Sequence, residues 1–398
     1  MKSHAVLIAC LIVVPPLSAQ DTVSAPIDTS YVEYHDSPVS LPLGIGLRVP
    51  GYDRVNGLTL PWGPRLTLGE EKLVVDALVS YRSHLGNWDP SIEATARPAY
   101  RTRLDFYIGR ATFTNDAWIR SDLVNSAAAL FVGSDARNYY RADKVSLRLS
   151  QALNINSFTV TPFVGGGLEN DWGTGSLAPI RRPWSFFGRD GILRMRRPNP
   201  PVVKRHIGSV VGGGEIQYFR DDVDAKIAAT AEHALTGDGC ALPGSGQVCN
   251  GNRGSFTQVT IESAAQFPTF GTQTFTFRAH ALLSGNNVPA QRFGYLGGAS
   301  TLATVDLLAL GGDRLLYVEG DYKIPLKVFA LPFLGGPFVA LHYAAGNAGV
   351  ASLPALIQNV GIGAGVGPIR VDYAIDPASN RSPFSRRSAL TFGISLSF

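Results

Sequence analysis

Apolar and polar residues alternate with a period of two along most of the chain. The C-terminus shows it most cleanly: Leu390, Phe392, Ile394, Leu396 and Phe398 share one face, and Thr391, Gly393, Ser395 and Ser397 share the other. Two is the side-chain period of a β-strand. Working back from that end, the same alternation predicts strands at 369–376, 355–366, 336–343, 314–325, 274–283 and 258–267. It continues through 223–232, 207–219, 158–171, 141–153, 102–113, 90–97, 72–82, 57–68 and 43–50. The reading is all-β, with about sixteen antiparallel strands and no segment that demands a helix.

The connections sort themselves into two kinds. Turns at 69–71, 98–101, 154–157, 220–222, 267–271, 326–335 and 367–368 are short and fall at one end; segments 114–138, 172–206, 236–253 and 285–313 are long and fall at the other. Short periplasmic turns and long outer loops are the asymmetry of a transmembrane β-barrel. The polar faces carry Asp76, Arg82, Glu93, Arg97, Asp224, Lys226, Glu232, Arg278, Glu319, Asp321, Lys323, Arg370 and Asp372. Facing lipid at mid-depth, each Arg or Lys would cost about 2–4 kcal/mol, so these residues are expected to line a lumen and the apolar faces to meet lipid. Trp62, Trp88, Trp118 and Trp172 lie near predicted strand ends, where interfacial girdles sit. His280 on a polar face and His233 near a strand end are expected to be solvated in the lumen.

Composition supports this picture. Charged residues make up 17 % of the 398, glycine is abundant at 43, and no run of about 18 apolar residues follows the N-terminus. In lipid only helices and closed barrels satisfy every backbone group, which leaves the barrel as the membrane option. A soluble β-sandwich or solenoid is the alternative. The net charge of +4 is a near balance, and no basic stripe with interleaved aromatics points to nucleic acid.

Residues 1–19 read as a signal peptide. Lys2 and His4 precede an apolar stretch from Ala5 to Val14, and Leu17-Ser18-Ala19 is a small-residue exit. Leu7-Ile8-Ala9-Cys10 also resembles a lipoprotein cleavage box, but its apolar region is short for one. Residues 20–42 are a polar periplasmic lead-in and 43–398 the barrel domain. Cys240 and Cys249, in a Gly-rich loop of an exported chain, read as a disulfide; a metal or redox pair would want nearby His or a Cys-x-x-Cys spacing.

One stretch carries a resemblance. Arg292-Phe-Gly-Tyr-Leu-Gly297-Gly298-Ala-Ser-Thr-Leu302-Ala303-Thr304-Val305-Asp306, followed by Gly312-Asp-Arg314 and a strand reaching Pro325, resembles the lid-loop region of the Omp85 (bacterial surface antigen) superfamily. Gly361 to Ala374 resembles that family's penultimate hairpin, and Tyr52 to Leu58 an opening segment of some barrel-only members. The resemblance is best over 290–398. It implies a lid over the lumen, with Gly297, Gly298, Leu302, Ala303, Thr304 and Val305 as its motif region. It also implies Glu319, Asp321 and Asp372, with Arg278 and Arg370, as lumen charges. The family's lid motif usually presents an arginine to carboxylates of the inner wall; here that position holds Ala303. Arg292 and Arg314 are the alternatives. The periplasmic POTRA domains of the family's transporters do not fit into 20–42.

No Gly-x-Ser-x-Gly elbow, His-Glu-x-x-His helix or phosphate-cradling loop is present, so neither an enzyme nor a cofactor is expected. The segment 172–206 is basic, with Arg181, Arg182, Arg194, Arg196 and Arg197 among its cations. It reads as a binder of lipopolysaccharide headgroups or a partner, as a plug against lumen carboxylates, or as a solvated loop. The expected location is the bacterial outer membrane, with membrane lipid and lipopolysaccharide as neighbours and a separate periplasmic partner or client protein. Three functions remain open: transport or assembly of outer-membrane protein or lipid, a passive pore for small solutes, and a surface antigen acting through its loops.

Overall fold

The computed structural model describes residues 38–174, 184–187, 195, 197–202, 205–220, 222–236, 255–285, 288–326, 336–367, 369–378 and 383–394. The signal peptide, Cys240 and Cys249, and Arg181, Arg182, Arg194 and Arg196 lie outside them.

The chain opens with short strands β1 (Val39–Ser40) and β2 (Gly51–Asp53), then β3 (Gly57–Trp62), β4 (Arg65–Leu68), β5 (Leu73–Arg82), β6 (Asn87–Ala99) and β7 (Thr102–Phe113). After helix α1 (Asp122–Ala127) come β8 (Tyr140–Gln151), β9 (Leu153–Ile155), β10 (Phe158–Trp172), β11 (Arg205–Arg220) and β12 (Val223–Thr236). Next are β13 (Phe256–Pro268), β14 (Thr274–Gly285), the small pair β15 (Gly294–Leu296) and β16 (Leu310–Gly312), and β17 (Arg314–Pro325). The chain ends through β18 (Pro337–Gly349), β19 (Ile357–Val366), β20 (Ile369–Ile375) and β21 (Ser388–Ile394). Every ladder is antiparallel. From β5 onward each long strand pairs with the next long one, β15 and β16 standing apart as a hairpin of their own. This is an up-and-down meander whose strands are long enough to cross a bilayer when tilted. Among the described residues no helix is long and apolar enough to do so.

The predicted strand at 43–50 is not formed. The first pass up the wall is broken instead: β1 pairs with β4, Leu47 makes one bridge to Trp62, and β2 pairs with β3. A 3-10 turn at Pro42–Gly44 interrupts it, with Leu43 and Gly44 at positive φ, and Pro50 follows. Proline removes a ladder donor and positive φ turns the chain off the extended path, so alternation alone overstated this segment. Among the described residues no ladder joins β21 to this first pass.

Register assigns the two faces. Outward rows carry exposed apolar residues, among them Leu147, Leu149, Val164, Leu341 and Ile362. So much exposed apolar surface would be a liability in water and suits a lipid belt. Inward rows carry the lumen charges named from sequence. His233 departs from expectation: it pairs with Val210 on the outward face and hydrogen-bonds Thr257 Oγ1 at 2.9 Å.

A lumen crossed by two folded loops

The connection between β14 and β17 does not extend away from the wall. After a 3-10 turn at Ala290–Arg292, β15 and β16 form a hairpin whose tip spans 297–309. Its apolar residues Leu296, Leu302, Val305 and Leu310 are buried against Leu282, Leu315, Tyr317, Ala344 and Ala348, which face inward from β14, β17 and β18. The tip depends on its glycine pair. Gly297 and Gly298 adopt φ of +122° and +95°, and a Cβ on Gly297 would lie 2.1 Å from the Asp306 carbonyl oxygen. Only glycine takes that conformation without strain.

Polar clasps hold the tip on one side. The Thr304 N–H donates to Asn359 Oδ1 at 3.0 Å, and Asn359 Nδ2 donates back to Thr304 Oγ1 at 2.8 Å; Asn359, on β19, is fully buried. Val305 bridges to Ser385, and the Arg386 N–H donates to the Thr304 carbonyl at 2.7 Å. Arg278 Nη2 donates to the Ser300 carbonyl at 3.1 Å. Ala303 is half-buried and supplies no charge.

The base of the loop reaches the opposite wall. Arg292 is buried, with Nη2 at 2.8 Å from Glu169 of β10, Nε at 3.2 Å from Glu232 of β12, and Nη1 donating to Tyr140 of β8 at 2.8 Å. Glu169 is also paired with Lys144 at 2.6 Å. Beside it, Gln291 donates to Asp171 at 3.0 Å. One loop therefore touches β8, β10 and β12 through Arg292 and β14, β17 and β19 through its tip, so the sheet curls around it. A cavity of about 370 Å³ remains by Arg292, lined in part by Lys144, Arg148, Phe163 and Thr230.

The lumen charges named from sequence come together without the lid. Arg278 pairs with Glu319 at 2.6 Å; Arg370 grips Asp321 with two bonds of 2.8 and 2.6 Å and meets Asp372 at 2.6 Å. His342 lies 3.6 Å from Asp321 and 3.8 Å from Glu319. The wall thus pairs its own carboxylates, and Arg292 of the loop serves the opposite side. Arg314, the other alternative, has no such partner among the described residues.

A second loop lies on the first. Trp118 stacks on His280 with ring centroids 4.1 Å apart and planes 3° from parallel. Arg120 Nε donates to Ser300 Oγ at 2.6 Å, and Asn115 Nδ2 to the Gln291 carbonyl at 2.5 Å. These contacts correct two expectations: Trp118 is packed inside rather than in a girdle, and His280 is buried rather than solvated. The same loop caps β2. The Tyr52 N–H donates to Ser126 Oγ at 3.1 Å, and the Arg54 N–H to Asp135 at 3.0 Å. The fully buried Arg54 guanidinium donates to the carbonyls of Arg197 at 2.6 Å and Arg137 at 3.1 Å. Arg197 itself donates to Asn138 Oδ1 at 2.5 Å, so this one cation of the basic segment is packed into the cap. Burial pushes the Asp116 carboxyl up to about 7, although Asn138 donates to it and Arg197, Arg137 and Arg54 lie near.

Sequence reading missed Glu169, Tyr140 and Asn359. Glu169 shares the inward parity of β10, a signal that could have found it; the other two depend on where a loop lands.

No family model and no curated protein matches the chain. Its fold is similar to that of BamA from Haemophilus ducreyi lacking POTRA domains 1–3, with a TM-score of 0.52 and 12 % identity over 87 % of this chain and 68 % of that one. CdiB from Escherichia coli also matches, at TM-score 0.48 and 12 % identity, over 87 % of this chain and 60 % of that one. The FrpB iron transporter from Neisseria meningitidis (F3-3 variant) follows at 0.39 and 12 %, over 85 % and 61 %. This chain therefore spans about three fifths of the CdiB and FrpB chains. At such identity the likeness to BamA is one of fold, that of an outer-membrane β-barrel.

Proposed function

We propose that this chain is an outer-membrane protein of Omp85 type that acts, not as an enzyme, in transport or assembly of outer-membrane protein or lipid, with its β14–β17 connection as a lid. The observation that carries the reading is the Arg292 lock. A lumen-crossing loop is anchored at its base by a buried ion pair to Glu169 and Glu232 and at its tip by the Asn359–Thr304 clasp. An open passive pore has no use for such a closure. The rest of the family resemblance agrees: the glycine pair, the Gly312-Asp313-Arg314 turn and the strand to Pro325 stand where the lid reading needs them.

The test is genetic. Removing the protein is expected to change outer-membrane protein or lipid composition, and the wild-type chain to restore it. A variant tethered by a disulfide between Thr304→Cys and Asn359→Cys, with the native cysteines replaced by serine, is expected to restore it only under reducing conditions. Full restoration by the tethered chain under oxidising conditions would remove the lid from the mechanism.

A further inference from the structure

On the outward face of β7, β8, β10 and β11, cross-strand register lines up three rows of different chemistry. The lowest is apolar: Ile108 faces Val145, Val145 faces Leu168, and Leu168 faces Gly208. Two residues nearer the long-loop end, about 7 Å along the strands, the next row is Arg110, Asp143, Asn170 and His206. Above it stand Arg141 and Trp172. That these rows face out follows from their neighbour Ile207, which points inward into a cluster with Phe256 and Phe293.

The first two rows border a groove of about 690 Å³, which shares Val145, Leu168 and Gly208 with a second of about 310 Å³ lower down. Glycines make the lower floor. Gly166 and Gly208 present no side chain, while Leu147, Leu168 and Leu235 rise beside them. The upper end carries an exposed ion pair. Arg110 spends two donors on Asp143, at 2.7 and 2.8 Å, yet stays half exposed, and a guanidinium has five. Its charge lies 5.3 Å from the centre of the Trp172 ring, and that of Arg141 lies 5.8 Å from the same ring. Arg141 and Arg82 are both buried on the one carboxylate of Asp89, so Arg110 is the guanidinium that this rim exposes. His206 is exposed on the same row.

We propose that this groove is a binding site for one molecule of the outer leaflet's phosphorylated glycolipid. One phosphate meets Arg110 and the second meets His206, three strands or about 14 Å away; the saccharide between them lies against Trp172 and Asn170, and an acyl chain follows the Gly208–Gly166 floor. Arginine suits a phosphate because its planar fork donates in pairs. The order of the rows places the cations at headgroup depth and the apolar track below them, as an anionic lipid requires. The proposal rests on the proposed outer-membrane role and on the orientation expected from the sequence, with long loops outside. That orientation is read separately by labelling Thr114→Cys in intact cells, an outcome that leaves lipid binding by the purified chain unaffected.

The experiment is native mass spectrometry of the refolded full chain titrated with bisphosphorylated lipid A, dephosphorylated lipid A or phosphatidylglycerol. The wild-type chain is expected to take up one bisphosphorylated lipid A saturably. Binding should be at least tenfold weaker for the dephosphorylated form, for phosphatidylglycerol, and for Arg110→Ala combined with His206→Ala. Equal binding by that variant, folded as judged by its heat-dependent gel migration, would overturn the site. Equal binding of phosphatidylglycerol, or no saturable binding, would overturn the ligand; both comparisons use the unaltered chain and do not depend on a variant folding.

Discussion

Arg292→Ala is expected to open the lumen. The side chain is buried, and it satisfies two carboxylates and a tyrosine hydroxyl on three wall strands. Its removal takes that partner from both Glu169 and Glu232, while Lys144 still pairs with Glu169. Breaking a buried pair costs about 3–5 kcal/mol. Lys144 still serves Glu169 and Glu232 is partly exposed, so the low end, about 3 kcal/mol, applies to the closed lid. The open lid gains solvent for both carboxylates and is spared that cost. At about 1.4 kcal/mol per tenfold, the open fraction should rise roughly a hundredfold. The assay is single-channel recording in a planar bilayer, reading the frequency of open events. Arg292→Met combined with Glu169→Gln and Glu232→Gln removes the buried charges along with their partner and is expected to stay closed. If Arg292→Ala folds and its open frequency matches wild type, the ion pair does not hold the lid.

Three further outcomes follow from the same contacts. Gly297→Ala forces a Cβ against the Asp306 carbonyl at φ +122°, a strain of about 1–3 kcal/mol; the lid should become cleavable by protease while the wall stays resistant. Asn359→Ala strands the buried Thr304 N–H, at about 1–3 kcal/mol, and should speed hydrogen exchange at 302–306 without altering that of β19's neighbours. For Asp116, burial raises the folded carboxyl to about 7 from an ordinary 3.8, so the folded state binds the proton more tightly than the unfolded one. The stability this gives is fully present below about 3.8 and lost as pH rises through about 7. Protection in 114–139, taken relative to the intrinsic exchange rate at each pH, should therefore fall from pH 5 to pH 8 in the wild type and lose most of that fall in Asp116→Asn.

The wall was legible because its physics is local. Alternation sets which face each residue takes, and a one-residue error would invert every face, so most strands from 57 to 375 landed close to their observed bounds; 336–343 stopped short of Gly349, and 57–68 is two strands. The segment 43–50 misled because Leu43, Gly44 and Pro50 break an extended path that their hydropathy pattern suggests. The lumen charges on β17 and β20 were legible for the same reason of parity. The lock was not. A motif position occupied by Ala303 pointed to a missing arginine, and sequence could name Arg292 only as an alternative, because its partners lie more than a hundred residues away at Glu169 and sixty away at Glu232. Trp118 and His280 were misplaced likewise: a stack between a loop and a wall strand leaves no periodic trace.

In the proposed function a folded loop closes the lumen. Its most direct test is the conductance of the refolded chain in a planar bilayer beside a variant lacking 290–312. A mostly closed wild type and a large, steady conductance in the deletion are the predicted result. A large wild-type conductance that the deletion leaves unchanged would contradict the claim and make the protein an open pore.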